Sequence, residues 1–173
     1  LLHTDAVQAL GRLPLALERW GVGLASFSAH KVGGPVGVGV LVRRRGVALE
    51  PLAYGGAQEG GLRPGTENAA GIAAAALAIE LAVRERAEFA ARATALARAL
   101  VEGVCAAHPD ARLLGPPLER TDARLPGTVN LLVPGVDGKV LVTRLDLAGL
   151  EASAGSACAS GSLEPSHVLL AMG

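Results

Sequence analysis

The sequence is poor in cysteine and has no excess of charge of either sign. Only Cys105 and Cys158 occur among 173 residues, and 16 basic residues balance 16 acidic ones. Two cysteines are too few for the disulfide framework of a small secreted protein, so we expect a reducing, cytoplasmic setting. A net charge of zero gives no reason to expect nucleic acid or an anionic membrane as a main partner.

Long hydrophobic runs and aromatic residues are also scarce. Half of the residues are hydrophobic, but no uninterrupted apolar stretch reaches the roughly 18 residues that cross a bilayer. No signal peptide is visible. Aromatic residues make up 2% of the chain, so small aliphatic side chains must fill the core. The first residue is not Met and lies in a predicted strand, and we expect a piece of a longer protein.

The order of the predicted elements indicates an α/β fold. Short apolar segments that predict strands alternate with Ala- and Leu-rich segments that predict helices. A glycine-rich loop over 55–68 precedes a long predicted helix at about 67–104, with Thr66 as its N-cap. Strands are predicted within 1–5, 21–31, 36–44, 49–56, 108–127, 128–135 and 150–162, and further helices over 137–149, which Gly149 ends, and 164–173.

Lys31 is unusual because the chain otherwise uses arginine for positive charge. Of the 16 basic residues, only Lys31 and Lys139 are lysines. Lys31 ends a predicted strand, and strands of open α/β sheets end at ligand sites. A solvated loop lysine is one interpretation. The other is a Schiff-base lysine, because a desolvated amine attacks an aldehyde and a guanidinium does not.

The polar residues near Lys31 are those that an aldehyde cofactor, pyridoxal 5'-phosphate (PLP), requires. PLP needs a carboxylate beside its pyridine nitrogen, and Asp5 ends the first predicted strand. Gln8, three residues on, is a candidate to hydrogen-bond the 3-oxygen of the ring. Ser28 and His30 flank the lysine and offer a hydroxyl and an imidazole to the phosphate. His3 is open to two interpretations, a residue near the cofactor or one that satisfies the end of a strand.

Four motifs lie along nearly the whole chain. They are HTDAVQ at 3–8, SFSAHK at 26–31, GGAQEGGLRPGTEN at 55–68 and SAGSACASGSLEPSHVL at 153–169. Together, and in this order, they resemble the cysteine desulfurases of the NifS/IscS type, which are class V aminotransferase-like enzymes of PLP fold type I. The resemblance implies a partial α/β chain: the C-terminal part of the large-domain sheet and most of a small α/β domain.

The resemblance also implies a division of the chain into three parts. Residues 1–70 are then the C-terminal part of the PLP-binding large domain. Residues 71–104 form a long interdomain helix. Residues 105–173 are a truncated small domain that carries the active-site cysteine.

The resemblance implies a role for each matching residue. Lys31 binds PLP covalently and removes the α-proton of L-cysteine, and the Cys158 thiolate takes the substrate sulfur as a persulfide, leaving L-alanine. Thr66 reaches the phosphate bound by the partner subunit of a homodimer. The other matching cofactor-binding positions are Asp5, Gln8, Ser28, Ala29 and His30.

The segment after Cys158 resembles that of the desulfurases that serve general iron–sulfur cluster assembly and thiolation. The implied sulfur acceptor is a protein such as an iron–sulfur scaffold, and Cys158 would then share a [2Fe-2S] cluster with it transiently. The residues around Cys158 are Ser, Ala and Gly, which favours an exposed loop with an accessible thiol. A small buried core cysteine is the other interpretation.

The sequence departs from the family pattern in several places. Ala57 and Gly60 replace a glycine and a basic residue. An upstream phosphate loop, a ring-stacking His and an Asn have no counterpart, and neither does a downstream Arg for the substrate carboxylate. We therefore expect these 173 residues alone to be inactive.

Alternative functions stay open. One is a different enzyme of the same fold, such as a selenocysteine lyase or a kynureninase-like hydrolase. Another is a non-catalytic remnant that only dimerises or binds a scaffold. A dinucleotide site at the glycines of 32–40 is disfavoured, because their spacing is wrong and a strand follows.

Overall fold

The computed structural model describes residues 1–155 and 166–172. They fall into two compact units, one made of Leu1–Glu102 and Gly115–Val129, the other of the described residues of Gly103–Leu114 and Asn130–Gly173. Within the described ranges, none of the helices has the length and hydropathy that a bilayer crossing requires. Strands and helices occur in both units, and the predicted α/β class is confirmed.

A three-stranded sheet lies in the first unit. Its strands are arranged in the order β1 (His3–Asp5), β2 (Leu24–Ser28) and β3 (Gly39–Arg43). β1 and β2 are parallel, whereas β3 pairs with β2 in the antiparallel direction. Because β1 and β2 run the same way, their carboxyl ends lie at the same edge of the sheet.

The alternation of β2 gives this sheet an apolar and a polar face. Ala25 and Phe27 are buried, whereas Ser26 and Ser28 are half-buried. Since successive side chains of a strand point to opposite faces, both serines share a face with Asp5, whose Cα is paired with that of Ser26. The core cluster on the other face contains Ala6, Leu10, Val22, Ala25 and Phe27.

A 3-10 turn, Ala29–Val32, follows β2 directly. Ala29 has no exposed surface and packs with Val38 and Ala75. Gly34 approaches it so closely that a Cβ on Gly34 would lie 2.9 Å from the Ala29 Cβ. Small side chains therefore anchor the start of this turn, and Lys31 in the same turn is exposed.

Two helices occupy most of the region in which one was predicted. They are α1 (Ala69–Arg84) and α2 (Arg86–Ala107), and only Glu85 lies between them. The backbone N–H of Glu85 still donates to the Leu81 carbonyl, and that of Phe89 donates to Glu85. Since no Gly or Pro marks the break, the pattern of the sequence predicted one continuous helix.

The prediction of Thr66 as the N-cap is wrong. Asn68 caps α1, and its side-chain oxygen accepts a hydrogen bond from the Gly71 N–H at 3.0 Å. Both residue types are good caps, so the sequence alone could not choose between them. Which residue caps the helix depends on the path of the preceding loop, which sets the position at which α1 begins.

The segment before α1 also differs from its prediction. No strand forms within 49–56. Pro51 has no N–H to donate to a ladder, and Leu52 and Tyr54 are both exposed, so the segment has no buried face. The loop over 55–68, predicted without regular structure, contains a 3-10 turn at Gln58–Gly61.

The second unit contains a short antiparallel pair and two helices. β4 (Arg112–Leu113) pairs with β5 (Leu131–Leu132), and the helices are α3 (Gly138–Leu147) and α4 (His167–Met172). These elements lie where the sequence predicted them, and Gly149, at φ 78°, follows the end of α3 as predicted. The described residues 150–155 form no strand, so that part of the prediction is wrong.

Asp137 is the N-cap of α3. Its carboxylate accepts hydrogen bonds from the N–H groups of Val140 and Lys139, at 3.1 and 2.9 Å. These two bonds, with that of Val140 the larger cause, lower the pKa of Asp137 from its ordinary value. The cap stabilises the start of α3 while the carboxylate is ionised, and this contribution is lost as the pH falls through the lowered pKa.

We predict that Asn68→Ala lowers the free energy of unfolding by about 1 kcal/mol, because it removes the cap of α1. Asn68→Asp, which retains an acceptor oxygen, should leave it nearly unchanged. Thr66→Ala is the control, because Thr66 caps no helix. Urea unfolding monitored by circular dichroism measures all three, and a larger loss for Thr66→Ala than for Asn68→Ala would contradict the assignment.

Candidate cofactor site

Asp5 is the last residue of β1, and its carboxylate is oriented by the backbone that follows. Oδ1 accepts a hydrogen bond from the Val7 N–H at 3.0 Å, an Asx-type turn. No described residue donates to Oδ2, and the side chain is exposed. Asp5 can therefore offer one oriented, negatively charged oxygen to a ligand at the edge of the sheet.

Ser28 and His30 lie at the carboxyl end of β2, in and beside the turn that carries Lys31. Ser28 Oγ and His30 Nδ1 are 2.7 Å apart, a hydrogen bond. Each group is thus held close to the other, and each can turn instead to an oxygen of a bound anion. A hydroxyl and an imidazole held together in this way suit a phosphate group.

Lys31 lies in the same turn. Its side chain is exposed, and within the described ranges its ammonium makes no hydrogen bond or ion pair. No described partner therefore holds the side chain away from a ligand. However, the desolvation expected for a Schiff-base lysine is not provided by the described residues, which leave it in contact with solvent.

Gln8 and Thr66 are exposed, and neither side chain hydrogen-bonds to a described residue. Gln8 lies in the turn after β1, three residues beyond Asp5 and near the same edge of the sheet. Thr66 lies in the loop before α1, and no described contact joins it to Asp5 or Lys31. The structure thus brings together Asp5, Ser28, His30 and Lys31, with Gln8 close in sequence, but not Thr66.

Ala29 offers no free polar group. Its N–H donates to the Val38 carbonyl at 3.0 Å, and its own carbonyl accepts from the Gly34 N–H at 2.9 Å. With its side chain also buried, Ala29 serves to position its neighbours in the turn. Cys158, predicted as catalytic and as a transient metal ligand, lies outside the described residues.

Two local features were not specified by the sequence, which left His3 open between a residue near the cofactor and one that satisfies the end of a strand. His3 Nε2 lies 2.8 Å from Ser26 Oγ, so their side chains join β1 to β2 on the polar face. Glu59 has a φ of 52°, the only positive φ at a non-glycine position among the described residues. The two glycines after Glu59 indicate a tight turn, but they do not indicate a positive φ at Glu59 itself. The contact of His3 with Ser26 depends on the strand register, which the sequence does not show.

The residues at this edge of the sheet fit PLP by the chemistry of their polar side chains. Lys31 supplies an amine for the aldehyde, Asp5 a carboxylate with one oxygen that has no partner in the described part of the chain, and Ser28 with His30 a paired hydroxyl and imidazole. By contrast, no group of three or more His, Cys, Asp or Glu that could hold a metal ion occurs in the described part of the chain.

Comparison with known proteins gives the family. Residues 1–173 match the model of the class V aminotransferases. The chain is 46% identical over 170 residues to the cysteine desulfurase IscS of Dictyoglomus turgidum, covering 98% of this chain and 42% of that protein. It is 44% identical over 172 residues to the cysteine desulfurase NifS of Azotobacter vinelandii, covering 99% of this chain and 42% of the relative.

A solved structure of a NifS-like protein agrees with this. It superposes with a TM-score of 0.77 at 40% identity, over 88% of this chain and 40% of that one. The chain belongs to the class V aminotransferase family, with the fold of the type I PLP enzymes. The resemblance to cysteine desulfurases is confirmed, and family membership implies PLP. The chain spans less than half the length of the curated relatives it matches.

We predict that Ser28→Ala weakens PLP binding about ten-fold, the effect of losing one hydrogen bond to a charged group. Thr121→Ala is the control, because its exposed hydroxyl has no hydrogen-bond partner among the described residues. Titration of the apoprotein of the full-length chain with PLP, followed by absorbance, measures both. Equal affinities for Ser28→Ala and Thr121→Ala would contradict a phosphate site at Ser28.

Proposed function

We propose that this chain is part of a PLP-dependent cysteine desulfurase, which converts L-cysteine to L-alanine and passes the sulfur on through an enzyme persulfide. One observation carries the proposal: Asp5, the Ser28–His30 pair and Lys31 lie at one edge of one sheet. The relatives described above, cysteine desulfurases at 44–46% identity, support the reaction class.

Lys31 is proposed to hold the cofactor covalently and then to act as the base. Its free Nζ has the two properties this requires, a nucleophilic lone pair when deprotonated and a flexible stem. With L-cysteine in the site, Nζ would take the α-proton of the substrate. PLP, when bound, supplies the electron sink for the carbanion that this proton leaves behind.

Asp5 and the neighbouring polar residues are proposed to hold the cofactor in place. Asp5 Oδ2, oriented through the bond of Oδ1 to Val7, accepts the hydrogen bond of a protonated pyridine nitrogen. Ser28 and His30 turn from each other to the phosphate, and Gln8 donates to the 3-oxygen of the ring.

Cys158 is proposed to accept the sulfur. Its thiolate attacks the sulfur of the bound substrate, a bond between the two sulfur atoms forms, and the substrate Cβ–S bond breaks. The electron pair of that bond stays with Cβ, which takes a proton, and Cα takes back a proton from Lys31 Nζ, so the organic product is L-alanine. The terminal sulfur then passes to an acceptor.

The wider assembly is proposed on the family resemblance. It is a cytoplasmic homodimer in which Thr66 reaches the phosphate bound by the partner subunit, and the sulfur acceptor is an iron–sulfur scaffold protein. Cys158 would also ligate a [2Fe-2S] cluster transiently during transfer. The proposed layout is a PLP-binding part at 1–70, an interdomain segment at 71–104 in which α1 and α2 replace the single predicted helix, and a small domain at 105–173.

We predict that borohydride reduction of the full-length protein loaded with PLP fixes the cofactor on Lys31, as peptide mapping by mass spectrometry will locate it. Lys31→Ala should lose the adduct. Lys139→Ala is a matched control, because Lys139 is the only other lysine of the chain, and it should retain the adduct. An adduct on Lys139, or one that persists in Lys31→Ala, contradicts the proposal.

We predict that Cys158→Ser abolishes the release of sulfur from L-cysteine and leaves the visible absorption band of bound PLP intact, because the thiol is needed only for sulfur transfer. Cys105→Ser is the matched control and should retain both. Sulfur release and absorbance are measured on the same samples. Desulfuration by Cys158→Ser at the parent rate would contradict the role of Cys158 as sulfur acceptor. It would favour a different enzyme of the same fold that needs no such thiol.

A further inference from the structure

The hydrogen bond between His3 and Ser26 crosses from β1 to β2 beside the candidate cofactor site. In the ladder, the Cα of His3 pairs with Leu24 and that of Asp5 pairs with Ser26. The bond of 2.8 Å between His3 Nε2 and Ser26 Oγ therefore runs diagonally, from two residues before Asp5 to the ladder partner of Asp5. All three side chains lie on the polar face.

Ser26 holds β1 at two points. Its hydroxyl bonds His3, and its backbone carbonyl accepts the Ala6 N–H at 3.0 Å. Asp5 lies between these two points along the chain. Its own carboxylate is then oriented by Val7, one residue beyond the second point.

β1 is short, and few contacts outside the ladder define its register: the Leu2 carbonyl accepts hydrogen bonds from the N–H groups of Gly23 and Leu24, and Ala6 is buried. The strand contains three residues, and β2 is its only neighbour in the described sheet. A slip of one residue would turn the Asp5 side chain to the opposite face, which is the apolar face that contains Ala25 and Phe27. The register of β1 therefore determines the face of the sheet on which the Asp5 carboxylate lies.

We propose that His3 and Ser26 are a positioning pair that fixes the register of β1 against β2 and so holds the Asp5 carboxylate on the face of Ser28. The inference rests on the proposed function, in which Asp5 contacts the pyridine ring of PLP. Neither His3 nor Ser26 touches the cofactor in this proposal. They act on it through Asp5.

The exposure of the pair distinguishes positioning from general stabilisation. His3 is exposed and Ser26 is half-buried, and a hydrogen bond in contact with water adds little to the free energy of folding. The bond can also form with either tautomer of the imidazole, since the serine hydroxyl both donates and accepts. Loss of the pair should therefore speed the dissociation of PLP clearly, while the melting temperature changes little.

The test uses the full-length protein loaded with PLP. His3→Phe removes the imidazole and keeps a ring, and Ser26→Ala removes only the hydroxyl. Each should speed the loss of PLP about five-fold, the effect of one hydrogen bond, and should shift the circular dichroism band of the bound cofactor. The double variant should be no faster than either single variant, because both remove the same bond.

Conservative variants and a matched control complete the design. His3→Gln and Ser26→Thr keep hydrogen-bonding groups and should restore slow loss of PLP. His108→Phe makes the same change at an exposed histidine whose side chain has no described partner, and it should match the parent. Melting temperatures of the apoproteins show whether a variant is merely unstable. If His3→Phe does not fold, Ser26→Ala decides.

Two results would overturn the inference: loss of PLP at the parent rate in both single variants, or effects that add in the double variant. Failure of the proposed function looks different. In that case the parent protein itself shows no visible band with PLP and retains none after gel filtration, whatever residues stand at 3 and 26.

Discussion

The parallel pairing of β1 with β2 is the constraint on which the rest of the site depends. Parallel strands bring their carboxyl ends to one edge, and the register places Asp5 opposite Ser26. The carboxylate, the Ser28–His30 pair and the lysine turn therefore meet, although 23 residues separate the hydrogen-bonded side chains of His3 and Ser26 in sequence. Without this pairing the same residues would be unrelated polar groups on two loops.

Buried apolar residues pack this arrangement on the side away from the polar groups. Ala25 and Phe27 are buried under the sheet, and Ala29 is fixed between Val38 and the helix residue Ala75. Larger side chains would not fit where Gly34 and Ala29 approach each other. The polar face can then remain open, because the stability of the strand comes from its other face.

The candidate polar groups of the site could be predicted from the sequence, because each is a local property. They are a scarce lysine, a carboxylate at a strand end, and a serine and a histidine beside the lysine. The predictions that were wrong concern boundaries. Asn68 caps α1 instead of Thr66 because the path of the loop decides between two adequate caps. The segment with Pro51, Leu52 and Tyr54 is apolar enough for a strand but has no partner to bury it.

What the sequence by itself determined is the α/β class and the family, and it supplied the candidate groups of the proposed site, because residue type and spacing along the chain carry that information. Among the described residues, the tertiary structure alone decided that Oδ2 of Asp5 has no partner, that the polar groups of Ala29 are already bonded, and that His3 reaches Ser26. These facts depend on strand register and on contacts between distant segments, and local periodicity does not encode either.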